Sequence, residues 1–104
     1  MLKYKIDFDS IEWESPMKGV RFKRHAFGNR QVRLVEYEKE FVEPEWCVKG
    51  HNGYVINGEI EIDFNGNAVR YSSGDGICIP PGEDNKHRAT IMSERATVFL
   101  VEDI

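Results

Sequence analysis

The feature that most constrains this chain is its punctuation. Turn signals recur roughly every 8 to 12 residues, and short runs of alternating apolar and polar side chains lie between them. Val20–Phe27 alternates weakly and stops at Gly28-Asn29. Residues 31–41 follow, with Val35, Tyr37 and Phe41 on one parity. Tyr54-Val55-Ile56 runs into Asn57-Gly58, a two-residue hairpin signal. Ile60, Ile62 and Phe64 alternate with Glu59, Glu61 and Asp63 before Asn65-Gly66-Asn67 turns the chain again. Residues 69–71, 77–79, 87–92 and 97–101 read as further short strands. No long stretch repeats apolar residues at helical spacing. An all-β antiparallel sandwich or barrel is the expected architecture.

The start of the chain reads differently. Leu2, Tyr4, Ile6 and Phe8 alternate with Lys3, Lys5, Asp7 and Asp9, the period of a half-buried strand. Residues 10–19, with Trp13, Pro16 and Gly19, read as an irregular arm. With 104 residues and no linker or repeat, one domain over 1–104 is expected: an N-terminal strand and arm over 1–19, and the barrel over 20–104.

Composition narrows the partners. A net charge of −4 gives no support for nucleic-acid binding. No apolar run approaches a membrane span, and charges from residue 3 onward are unlike a signal peptide, so a cytoplasmic protein is expected. The two cysteines, Cys47 and Cys78, are too few for a secreted disulfide framework, although one bond between them is possible.

The chemistry concentrates between residues 45 and 59. Glu45, Cys47 and His51 are all good metal-ligand types and share one parity, so a strand through them would aim a carboxylate, a thiol and an imidazole at one side. His87, after the Gly74–Gly82 turn region, could bring a fourth ligand. Each has an ordinary alternative: His51 flanking a hairpin, Cys47 as a small core side chain, Glu45 solvated at a strand start, His87 on a polar loop. Cys78, between Ile77 and Ile79, reads as core; His25 reads as exposed; Trp46, on the opposite parity, should face away from a metal. Trp13 could pack across the barrel or on a partner. Arg21, Lys23, Arg24, Arg30 and Arg33 read as a solvated face, with an acid-binding clamp as the alternative.

These residues bring out a resemblance. Residues 31–101 resemble a small cupin. The first cupin motif has a His-x-His pair, a Glu shortly after, then six residues and a Gly. Counting back from Gly58 puts His51 in the Glu slot, Cys47 in the second His slot and Glu45 in the first. In the second motif Gly74, Pro80 and Gly82 fit, the His slot falls on Asn85, and His87 stands two residues later with its parity kept. The final Asn slot is unmatched. Trp46-Cys47 also resembles a subgroup with an Asp-His-Trp-Cys type motif, where Pro44 and Glu45 replace Asp and His. The resemblance implies a jelly roll (a double-stranded β-helix). It also implies a divalent transition metal (zinc, iron or nickel) on Glu45, Cys47, His51 and His87, a small-molecule ligand and a homodimer. Its functional menu spans metal-dependent enzymes, non-catalytic ligand-binding modules and structural metal sites.

Overall fold

The computed structural model describes residues 4–104. Nine strands run in chain order: β1 (Glu14–Met17), β2 (Val20–Phe27), β3 (Arg30–Glu38), β4 (His51–Asn57), β5 (Glu59–Asp63), β6 (Ala68–Ser72), β7 (Gly76–Ile79), β8 (Arg88–Ile91) and β9 (Arg95–Asp103). They form two antiparallel sheets, a six-stranded one in the order β1-β2-β3-β9-β4-β7 and a three-stranded one in the order β6-β5-β8. The all-β expectation holds. The sheets face each other as a jelly-roll sandwich and do not close into one continuous barrel.

The core lies between the sheets because each strand turns its apolar parity inward. β9 alternates without a break: Ala96, Val98, Leu100 and Glu102 are buried, and the residues between them are not. Val35, Val55 and Val98 from the large sheet are fully buried against Ile60, Ile62 and Ile91 of the small one. Side chains in such a sandwich need close backbones in places. A Cβ at Gly53 would sit 2.0 Å from the Phe99 carbonyl oxygen, so β4 can approach β9 there only with glycine.

Several expectations need correction. The N-terminal strand does not form over its described part: Tyr4 has a positive φ of 64°, and Phe8–Ser10 is a short 3-10 turn closed by Ser10 on the Asp7 carbonyl. Leu2 and Lys3 lie outside the described residues. The arm instead supplies β1, an edge strand paired with β2, where Pro16 is tolerated on an edge. Asn57-Gly58 makes no hairpin. β4 belongs to the large sheet and β5 to the small one, so Gly58 (φ 88°) is the corner where the chain changes sheets. Asn65-Gly66 does close a hairpin, joining β5 to β6 with Gly66 N–H donating to Asp63. Cys78 is exposed, because burying Ile77 and Ile79 leaves the residue between them outward. Both cysteines are free thiols.

Candidate metal centre

The stretch from Glu45 to Gly50 is not a strand. Pro44 and Gly50 bracket an irregular segment that touches the sheet through a single bridge, Cys47 opposite His87. Cys47 and His87 exchange both backbone hydrogen bonds, at 2.8 and 3.0 Å, and Gly82 N–H donates to the Val48 carbonyl at 2.9 Å. A Cβ at Gly50 would meet Pro81 at 2.9 Å, so this segment packs against the Pro80–Gly82 turn by virtue of that glycine. His51 then opens β4. The second half of the site comes from the 3-10 turn Glu83–Asn85, which carries the chain to His87, 4% exposed.

These two loops bring Cys47, His51 and His87 together. One donor atom from each lies within 4.8 Å of the other two. Cys47 Sγ is 3.4 Å from His51 Nε2, and the two imidazole rings meet edge to face at 5.1 Å. Glu45 is exposed and lies outside this group. The shared parity expected for it requires a continuous strand, and the irregular backbone after Pro44 removes that condition.

Both histidines spend one ring nitrogen elsewhere. His87 Nδ1–H donates to the Asn85 carbonyl at 2.9 Å, which leaves its Nε2 as the nitrogen that serves the site. His51 Nδ1–H donates to Glu102 Oε2 at 2.5 Å, which turns Nε2 toward Cys47. Glu102, 3% exposed on the last strand, also takes Arg33 and Gln31. Nothing in the spacing around residues 45–59 points to Glu102. Its signal is an acid on the inward parity of a strand that otherwise buries only apolar side chains.

The electrostatics follow from these contacts. Hydrogen bonds from His51 and then His87 hold the Cys47 thiol down to about 5, against the opposing effect of burial. Burial disfavours a charged His51, but the bonds to Cys47 and Glu102 outweigh it and raise the ring to about 9. Burial likewise pushes Glu102 up, and His51 and Arg33 overcome it, leaving the carboxyl near 2. His87 is raised in the same way, by Cys47 and the Asn85 carbonyl against burial.

The donor set suits a borderline transition metal. One thiolate and two imidazoles bind zinc, iron(II), nickel or cobalt, and magnesium or calcium poorly. Zinc bonds of about 2.3 Å to sulfur and 2.1 Å to nitrogen place tetrahedral donors about 3.6 Å apart, near the observed Cys47–His51 separation. Among the described residues, three protein donors converge, which leaves room for a further ligand.

That room is a cleft of about 330 Å³ running between the sheets, lined mainly by apolar side chains such as Phe22, Ile60, Ile79 and Leu100. Glu43, Tyr37 and Trp46 also line it. Glu43 accepts Ala89 N–H at 2.8 Å on one carboxylate oxygen, and burial raises its pKa. Trp46 lines part of the cleft, and its ring carries Lys86 and Arg88 at 5.7 and 5.1 Å. The early basic residues divide. Arg21 pairs with Glu36, Arg24 with Glu14 and Arg30 with Asp103 on the outside, while Arg33 turns inward to Glu102. Arg21 and Lys23 also stand over Trp13, at 4.0 and 4.8 Å, so this tryptophan packs on its own sheet. His25 is exposed.

No family model and no curated protein matches this sequence. Solved structures do. The chain superposes on KdgF from a Halomonas species with a TM-score of 0.76 at 22% identity, over 91% of this chain and 89% of that one. An RmlC-like cupin from Shewanella frigidimarina gives 0.75 at 14% identity, over 98% and 91%. The chain has the cupin fold. A cupin-superfamily sugar phosphate isomerase from Silicibacter pomeroyi gives 0.74 at 20% identity, over 96% of this chain and 75% of that one. Within this fold, the cleft between the sheets is the inner hollow of the jelly roll, and the Cys47–His51–His87 group sits in its wall.

Proposed function

We propose that this cupin holds one divalent transition-metal ion on Cys47, His51 and His87, with an open coordination position facing the cleft for a small molecule. The observation that carries the reading is the orientation of the two imidazole rings. Each histidine engages Nδ1 with an acceptor, and both Nε2 atoms are left beside a thiolate. A bound ion would act as a Lewis acid toward water or a carbonyl group. The chain's own residues supply the rest. Phe22, Ile60, Ile79 and Leu100 give an apolar bed that keeps bulk water scarce, and Glu43 offers a carboxyl with one oxygen not engaged by Ala89. One protein of this fold is an enzyme by name, the sugar phosphate isomerase, which favours catalysis over storage of a metal.

A closed, structural metal site is the competing reading, and it requires a fourth protein ligand. The exposed position of Glu45 speaks against it. Cobalt(II)-loaded protein titrated with azide separates the two. A saturable change in the visible absorption means an outside ligand reaches the ion, and an unchanged spectrum means the site is closed. We propose in addition that two copies pair, since β1 and β7 leave both edges of the large sheet open. A single monomeric species in sedimentation at high micromolar concentration would rule this out.

A further inference from the structure

We propose that Glu102, clamped by Arg33 and Gln31, is a positioning residue that fixes His51 as a metal ligand. The inference rests on the metal reading above and extends it to three residues outside the donor set.

The argument begins with burial. A carboxylate 3% exposed to solvent needs partners for both oxygens. Glu102 has four donors. Oε1 accepts Gln31 Nε2 at 3.0 Å and Arg33 Nε, while Oε2 accepts Arg33 Nη2 at 3.2 Å and His51 Nδ1 at 2.5 Å. The guanidinium fork defines the carboxylate plane, as a lysine could not. Arg33 itself is held, with its side chain 20% exposed and its guanidinium 5.0 Å from the Phe22 ring.

Sheet register makes the arrangement rigid. His51 is the register partner of Glu102 across β4–β9, and Gln31 is its partner across β3–β9. Three adjacent strands thus deliver ligand, carboxylate and clamp without any loop. Cys47 and His87, by contrast, arrive on irregular segments. His51 is therefore the reference ligand around which the other two are placed. A histidine ligand oriented by a carboxylate gains basicity and loses rotational freedom, and outer partners of this kind are typically worth 10- to 100-fold in metal affinity.

The test is a cobalt(II) titration of Glu102→Gln, His51→Ala and the double variant beside the unaltered protein. Glu102→Gln is expected to weaken binding about 10- to 100-fold in the unaltered background. In the His51→Ala background it is expected to add no further loss, because Glu102 acts through that ring. Arg33→Lys keeps the charge, loses the fork, and is expected to show an intermediate loss; it reports on the clamp even if Glu102→Gln fails to fold. Unchanged affinity in folded Glu102→Gln, unchanged affinity in Arg33→Lys, or full additivity in the double variant overturns the inference. Failure of the unaltered protein to take up cobalt overturns the metal reading instead.

Discussion

His51 Nδ1 lies 2.5 Å from Glu102 Oε2, and the two residues face each other across the pairing of β4 and β9. This one bond ties the site to the sheet. It leaves His51 Nε2 against Cys47 Sγ, so the metal-free site is a thiolate beside an imidazolium.

Metal uptake should therefore depend on pH in a defined direction. Cys47, held down to about 5, is already a thiolate at neutrality and has no proton to release. His51, raised to about 9, must lose a proton before Nε2 can bind. Affinity should rise with pH from about 5 to about 9 by close to tenfold per pH unit for this proton, and level off above. Calorimetry in buffers of different ionisation enthalpy should show at least one proton released per ion near neutrality. Flat affinity across that range would contradict the imidazolium assignment.

The fold itself rests on the contact between the sheets. Ile91, 2% exposed on β8, packs opposite Ile60 on the neighbouring strand and into the core beneath the large sheet. Ile91→Ala should lower stability by about 2–5 kcal/mol through lost burial and the cavity left behind. Urea denaturation monitored by tryptophan fluorescence measures it. A midpoint shift corresponding to less than about 1 kcal/mol would mean the two sheets do not share this core.

Tyr37 gives an alkaline signature. Burial pushes its phenol up to about 12. Below pH 10 the phenol is neutral in folded and unfolded chains alike. As pH rises from about 10 to about 12 the unfolded chain ionises first, so stability is full below the unfolded value and lost as pH passes through the folded one. Tyr37→Phe should remove that component of the loss. Equal alkaline destabilisation in both proteins would show that Tyr37 titrates as a solvated phenol.

Much of this was readable in the residues. Alternation at a period of two survives in β5, β7 and β9, because each has one apolar face buried between the sheets. The spacing of Cys47 and His51, and the parity kept by His87, pointed to residues that do converge. Glu45 did not follow, because parity holds only along a strand and Pro44 opens an irregular segment. The Asn57-Gly58 signal marked a real bend, but a dipeptide does not encode whether the next strand pairs with the last one or crosses to another sheet. Arg33 and Glu102 lie 69 residues apart in sequence and meet only through the pairing of β3 with β9. No local pattern could join them, although a charged residue on the inward parity of β9 was a visible anomaly.

The central claim is that Cys47, His51 and His87 bind one metal ion. Titration of tag-free, metal-stripped protein with zinc or cobalt(II), followed by metal analysis after desalting, tests it most directly. About one equivalent per chain should be retained, with affinity sharply reduced in both Cys47→Ser and His51→Ala. No uptake by the unaltered protein, or uptake unchanged in both variants, would contradict it.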